Sequence, residues 1–277
     1  MGDGRILMPY LSPALNVMVS AARKAGRKLI RDFGEIENLQ ISLKGPADFV
    51  SVADRRTEGI LIAELQKARP GYPILTEESG LIDGPDKSHR FIIDPLDGTT
   101  NFLHGIPHFA ISVALERDGN LQSGVIYNPI SDDMFTAERG HGAYLNERRL
   151  RVAGRRLLKE ALNATGIPFM GRGSADDHTR FIRELRAVME ATPGVRRFGS
   201  ASLDLAWVAA GRFDTFWETG LAPWDIAAGI LMVREAGGLV SDLSGGGRML
   251  ETGAVVAANE DLHPQILKLL KEAAKAG

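Results

Sequence analysis

Apolar residues recur every three to four positions at Leu15, Val19, Ala22, Gly26, Leu29 and Phe33, which predicts an amphipathic helix of about six turns. Ser12-Pro13 supplies a cap and a first helical residue ahead of it, and the opposite face carries Arg23, Lys24, Arg27, Lys28 and Arg31 as solvated charge. A short strand is expected from Ile41, broken at Gly45-Pro46 and resuming into a second helix that Asp54 is placed to cap. Ile60, Leu61 and Leu65 line that helix and Pro70-Gly71 ends it. Pro73 to Thr76 reads as a strand ending in Glu77 and Glu78, and adjacent strand residues face opposite sides, so only one of the two acids serves a given site. The run Phe91-Ile92-Ile93 reads as the end of a buried strand, with a loop beginning at Asp94.

The period then changes to two. Phe109–Leu115 and Leu121–Tyr127 flank Asp118-Gly119 as a hairpin, and Met134–Glu138 with Gly142–Asn146 form a second over Gly140-His141-Gly142. After about Leu158 helices and strands alternate: a helix over 176–191, a strand Val195–Phe198, a helix through Leu205 and Val208 to Gly211, and a strand Phe213–Trp217 ending at Glu218. A helix from Pro223 stops at Gly237-Gly238, and a strand Ala254–Ala258 and a helix Leu262–Ala276 close the chain. No Pro/Ser-rich linker or repeat divides it, so one catalytic domain over 1–277 is expected, with interdependent halves of about 1–157 and 158–277.

The 277 residues are 44% hydrophobic, enough for a sizeable core. A formal net charge of −2 argues against a nucleic-acid partner. The local run Arg148-Arg149, Arg151, Arg155-Arg156 and Lys159 reads as a solvated face, or else as the surface of an interaction protein. There is no cysteine, which excludes disulfides, zinc-thiolate sites and thiol nucleophiles. No apolar run reaches the roughly 20 residues that span a bilayer, and no secretory leader pattern is visible, so no membrane partner and a cytoplasmic location are expected. His104, His108 and His141 lack the paired spacing of a nitrogen-rich metal site, and no Gly-x-Ser-x-Gly elbow or Walker-type loop is present.

The chemistry concentrates in Ile93-Asp94-Pro95-Leu96-Asp97-Gly98-Thr99-Thr100-Asn101-Phe102. Two carboxylates three residues apart need a compensating cation, Pro95 stiffens the turn, and Gly98 permits a positive φ. If a helix begins here, the amides of Gly98, Thr99 and Thr100 would face an anion. Hard oxygen ligands and anion-binding amides in one loop make the inventory of a metal-dependent phosphate site. Taken alone, Asp-Gly-Thr-Thr-Asn is also an ordinary polar turn.

The whole string Asp94 to Phe102 resembles the signature of the inositol monophosphatase family. Two further segments, Asp48–Asp54 and Trp224-Asp225-Ile226-Ala227-Ala228-Gly229, are similar to its other motifs. The resemblance implies a layered α-β-α-β-α sandwich of the inositol monophosphatase / fructose-1,6-bisphosphatase type. It implies metal ligation by Glu77, Asp94, the Leu96 carbonyl, Asp97 and Asp225, with Asp94 bridging two ions; oxygen donors alone suit Mg²⁺, with Mn²⁺ as substitute. Glu77, Asp54 and Thr99 take catalytic roles, the last two orienting the attacking water. Gly98 and Thr99 bind phosphate, and Gly199, Ser200, Ala201, Glu218 and Asp225 contact substrate. Relatives commonly carry glycine where this chain has Thr76, and cysteine or histidine where it has Pro223. The expected activity is hydrolysis of inositol 1-phosphate or a similar small polyol phosphate by a lithium-sensitive homodimer. The alternatives are a fructose-1,6-bisphosphatase, a broad-specificity sugar or nucleotide phosphatase, and an interaction protein using the basic run.

Overall fold

The computed structural model describes residues 12–35, 41–45, 48–169 and 173–275. Pro46, at the expected break, and Ala276, at the expected helix end, fall outside them. Helix α1 (Pro13–Gly34) begins as its sequence dictates, with Ser12 Oγ accepting from Leu15 N at 3.2 Å, a cap worth about 1 kcal/mol. Its stripe of Leu15, Met18, Ala22, Ala25 and Leu29 is buried. Strands β1 (Ile41–Gly45) and β2 (Asp48–Ser51) pair antiparallel and lead into α2 (Val52–Ala68). Because α2 starts at Val52, Asp54 lies in its first turn and is not its cap. The helix is packed against α1 and tied to it by Arg56–Asp32 and Lys24–Glu64 ion pairs.

These helices cover one face of an eight-stranded sheet. Its strands are β3 (Ile74–Thr76), β4 (Gly80–Ile82), β5 (His89–Asp97), β6 (Ala110–Arg117), β7 (Asn120–Asn128), β8 (Asp133–Glu138), β9 (Gly142–Leu145) and β10 (Arg148–Arg149), in the order β10-β9-β8-β7-β6-β5-β3-β4. The hairpins expected over Asp118-Gly119 and Gly140-His141 are both present. Period two explains the burial of both faces. Phe91, Ile93, Ile111, Val113, Leu115 and Val125 face α1 and α2, while Ile92, Ala110, Ala114, Ile126 and Phe135 enter a second core on the opposite side.

That second core is filled by α5 (Ala201–Ala209) and α6 (Pro223–Glu235). Every residue of α6 from Ile226 to Val233 is buried, as expected of a helix between two sheets. Two glycines permit the close packing: a Cβ on Gly229 would collide with Leu205 of α5, and one on Gly124 would press the backbone of Ala228. Beyond lies a five-stranded sheet of β11 (Leu162–Thr165), β12 (Gly194–Arg196), β13 (Thr215–Glu218), β14 (Leu239–Ser241) and β15 (Val255–Ala258), in the order β12-β11-β13-β15-β14. Its outer face carries α4 (Ala175–Ala191) and α8 (Leu262–Lys275). The layers are α-β-α-β-α, as the resemblance implied. Short helices α3 (Thr99–Leu103) and α7 (Met249–Thr252) complete the chain.

Three further local expectations change. The strand before the signature runs on through Asp97 instead of ending at Ile93. Glu77 and Glu78 sit in a turn between β3 and β4, so strand alternation does not govern them. The strand expected over Val195–Phe198 ends at Arg196, and Phe198 joins an aromatic cluster with His108, Trp207 and Phe213.

Candidate active site

The extension of β5 through Asp97 decides where its acids point. Asp94 pairs with Ser112 and Asp97 with Ala110, so three steps on β5 match two on β6. The extra residue is a bulge, built where Pro95 has no amide to donate. In regular strand, residues three apart would face opposite sides; the bulge restores a common side. Asp94 is 1% exposed and Asp97 9%. The Asp94 carboxylate accepts from Leu96 N at 2.9 Å. Gly98 follows with φ +97°, and a Cβ there would crowd the His108 carbonyl and Phe109.

Asp225 arrives from the other half of the chain. It lies in the first turn of α6, accepting from Ala222 N at 2.7 Å, and Ser112 Oγ donates to the neighbouring Trp224 carbonyl at 3.3 Å. That bond fixes the start of α6 beside the strand position opposite Asp94. Oxygens of Asp94, Asp97 and Asp225 lie within 4.8 Å of one another. They open into a cavity of about 120 Å³ that Glu77, Leu96, Gly98, Thr99, Gly199, Ser200, Ala201 and Glu218 also line. The cavity thus gathers every site residue expected from the sequence except Asp54, which reaches it through Thr99. The Thr99 hydroxyl has one proton. It lies 2.9 Å from the Leu96 carbonyl and 3.4 Å from Asp54 Oδ2, so donation to Leu96 is the stronger bond. The carbonyl keeps a second lone pair for another partner.

Electrostatics separates the two buried aspartates. Asp94 is pushed well above the ordinary carboxylate range, first by burial and then by Glu77, Asp97, Asp225 and Asp54. Asp97 is also raised by burial, but donors from the second half oppose the shift. Ser200 Oγ donates to Asp97 Oδ2 at 2.7 Å, Ser202 N at 2.8 Å, and the Ser202 hydroxyl joins them. Asn101 makes a further tie across the halves, donating to the carbonyls of both His108 and Phe198 at 2.7 Å.

A cluster of oxygen donors that mutually disfavour their charged forms is the environment a divalent cation relieves. The donor set fits Mg²⁺ or Mn²⁺, with no imidazole or thiolate lining the cavity among the described residues.

Four residues escaped the sequence reading. Ser202 and Arg197 reach the site only because α5 and the segment before it pack against the signature loop. Gly166 lies under the Glu218 carboxylate, which a Cβ would overlap. Glu58 holds the turn that carries Glu77. Apart from the i, i+4 spacing of Glu58 from Asp54, none has a local signature, since each depends on a contact made in the fold.

The model of the inositol monophosphatase family matches residues 10–275, and the chain belongs to that family. It is 61% identical over 261 residues to a Mesorhizobium japonicum protein named inositol-1-monophosphatase, covering 94% of this chain and 97% of the relative. It is also 45% identical over 263 residues to a Pseudomonas aeruginosa protein named Nus factor SuhB, covering 94% and 97%. Among solved structures, the extragenic suppressor protein suhB of Bartonella henselae superposes with a TM-score of 0.91 at 57% identity, covering 94% of this chain and 99% of that one. The chain is accordingly a phosphatase of this superfamily.

Proposed function

We propose that the protein is a Mg²⁺-dependent hydrolase of inositol 1-phosphate or a similar small polyol phosphate, its two halves acting as one catalytic unit in the cytoplasm. The observation that carries this reading is the convergence of Asp94, Asp97 and Asp225 in one cavity with Glu77 and the Gly98-Thr99 loop. Glu77, Asp94, the Leu96 carbonyl, Asp97 and Asp225 are the groups that would hold the metal. When bound, divalent metal supplies charge neutralisation and acidifies water at neutral pH.

The chain's own residues supply the remainder. Asp54 and Thr99, in contact with each other, orient the attacking water, and the Asp54 carboxylate accepts its proton. The amides of Gly98 and Thr99 bind the phosphate oxygens through a backbone that only the positive φ of Gly98 allows. Glu218, with Ser200 and Ala201, accepts hydrogen bonds from or donates them to the polyol hydroxyls. Water oxygen bonds to phosphorus as the ester P–O bond breaks; the departing alkoxide takes a proton from a second water, giving alcohol and inorganic phosphate, and Asp54 returns its proton to solvent. No covalent phosphoenzyme is required. From the family resemblance we also expect a homodimer and inhibition by lithium, to be checked by light scattering and by LiCl titration at constant ionic strength.

Phosphate release by the purified protein, with and without Mg²⁺, should be highest for inositol 1-phosphate among a panel including fructose 1,6-bisphosphate and a nucleotide 3′-phosphate. Preference for the bisphosphate would replace the polyol assignment. No Mg²⁺-dependent release from any of them would defeat the enzyme reading and favour action through a partner, a role that the relatives named Nus factor SuhB keep in view. The basic run from Arg148 to Lys159 gives that alternative limited support. Arg155 is paired with buried Asp214 at 3.1 Å and Arg156 with Asp261 at 3.3 Å, so part of the run secures its own loop.

A further inference from the structure

Helix α2 presents two acids one turn apart toward the site. Asp54 meets Thr99. Glu58, 4% exposed, turns to the segment between β3 and β4. Its Oε2 accepts from the Thr76 hydroxyl at 2.7 Å and from Glu78 N at 3.0 Å, and its Oε1 accepts from the Ser79 hydroxyl. The three donors come from residues 76, 78 and 79 and bracket Glu77, which lines the cavity. A buried carboxylate satisfied on both oxygens by one four-residue turn fixes the course of that turn. The turn follows a strand of only three residues and sets Glu77 close enough to Asp94 for the two acids to disfavour each other's charge.

We propose that Glu58 is the positioning residue for Glu77, and that α2 acts as a bar setting the Glu77 side of the metal site in register with the Asp54–Thr99 side. The helix is suited to this because it is clamped to α1 through Arg56–Asp32 and Lys24–Glu64, and the stripe that carries Asp54 and Glu58 continues into buried Leu61 and Leu65. Asp54 and Glu58, at i and i+4, share one face. Thr76 is part of the device. Where glycine would offer nothing, its hydroxyl is one of the three donors, so this chain has a stronger hold on the turn than a glycine at that position would allow.

The inference rests on the metal reading of the cavity, and its test separates the two. Mn²⁺ binding to the full chain, followed by electron paramagnetic resonance without substrate, is compared among parent, Glu58→Ala, Glu58→Gln and Thr76→Val. Leu65→Val serves as a control that loosens α2 packing without touching the turn. Removal of a partner that orients a metal ligand costs about 10–100-fold in metal affinity. Glu58→Ala should weaken Mn²⁺ binding by at least about tenfold, Glu58→Gln and Thr76→Val by about threefold, and Leu65→Val not at all. The Mg²⁺ concentration for half-maximal turnover should move in parallel, with kcat at saturating Mg²⁺ changing less. Affinities of Glu58→Gln and Thr76→Val equal to the parent, or an equal loss in Leu65→Val, would overturn the proposal even if Glu58→Ala fails to fold. A parent that binds no Mn²⁺ would instead remove the metal reading, and this inference with it.

Discussion

The two sheets end at the same cavity and bring it opposite kinds of group. Strand ends of the eight-stranded sheet deliver charge: Glu77 from the turn after β3, and Asp94 and Asp97 from the bulged end of β5. The five-stranded sheet and α5 deliver hydrogen-bond donors and shape: Ser200 and Ser202 onto Asp97, and Glu218 seated over Gly166. Burial and four neighbouring acids drive Asp94 far up, whereas Asp97, also raised by burial but held by serines, is opposed in its shift. On the proposed reading, one region needs a cation and the other orients and selects. Asp225 is the exception that joins them, since α6 follows the five-stranded sheet's β13 in sequence yet packs on the eight-stranded sheet.

The largest expected effect tests that exception. If Asp225 completes the cation site, Asp225→Asn should lower turnover by about a thousandfold, the loss of several kcal/mol of transition-state stabilisation, while the fold is retained. Steady-state kinetics and a circular dichroism melt check this. A loss below about tenfold would make the eight-stranded sheet's acids sufficient by themselves.

A middle-sized effect tests the donors. Ser202→Ala removes a hydroxyl from a charged acceptor, an interaction of about 1.5–3 kcal/mol, and should raise the Mg²⁺ requirement by about tenfold through misplacement of Asp97. Magnesium titration of turnover reads this, and an unchanged requirement would mean that Ser200 and the Ser202 amide hold Asp97 unaided.

Gly166→Ala should be smaller and of another kind. The added Cβ meets the flexible end of Glu218, which can swing aside, so folding should persist while KM for a polyol phosphate rises and that for a small aryl phosphate does not. Parallel changes in both KM values would show that Glu218 does not select substrate.

The smallest effect is on the metal-free protein. Asp94, Asp97 and buried Asp204 have raised pKa values, burial being the first cause in each. A raised carboxyl binds more protons folded than unfolded, so stability falls as pH rises from the ordinary carboxylate range toward the raised value. In chelator, the melting temperature should therefore climb as pH is lowered from neutral. The climb ends in stronger acid, where groups such as Asp242, held down to about 2 chiefly by the Ser244 hydroxyl against burial, begin to give up their contribution. Mg²⁺ should flatten the upper part of the profile. Asp94→Asn should flatten it without metal and make the metal-free protein more stable than the parent.

Much of this was readable before the fold. The 3.6-residue stripe of α1, its Ser12 cap, the two hairpins and the carboxylates of Asp94 and Asp97 are local patterns. The family resemblance supplied the distant Asp225 and Glu218, which no local rule would have joined to them. What escaped was the bulge that turns Asp94 and Asp97 to one side, because β5 looked complete at Ile93 and the pairing that creates the bulge lies on β6. The serines on Asp97 escaped for a like reason, being 103 and 105 residues away in sequence. The Glu77-Glu78 pair carries a strand signature because its apolar prelude is strand; the turn it forms is hydrogen-bonded to the buried carboxylate of Glu58, a contact from α2 with no local trace.

The central claim, that Asp94 is the shared anchor of the cation site and Asp97 serves one side of it, is tested most directly by titrating Mg²⁺ against turnover of inositol 1-phosphate in Asp94→Asn and Asp97→Asn. The account predicts no recovery at any Mg²⁺ concentration for Asp94→Asn, because both sides of the site lose the same charge, and partial recovery at high Mg²⁺ for Asp97→Asn. An Asp94→Asn protein that regains parental turnover as Mg²⁺ is raised would contradict it.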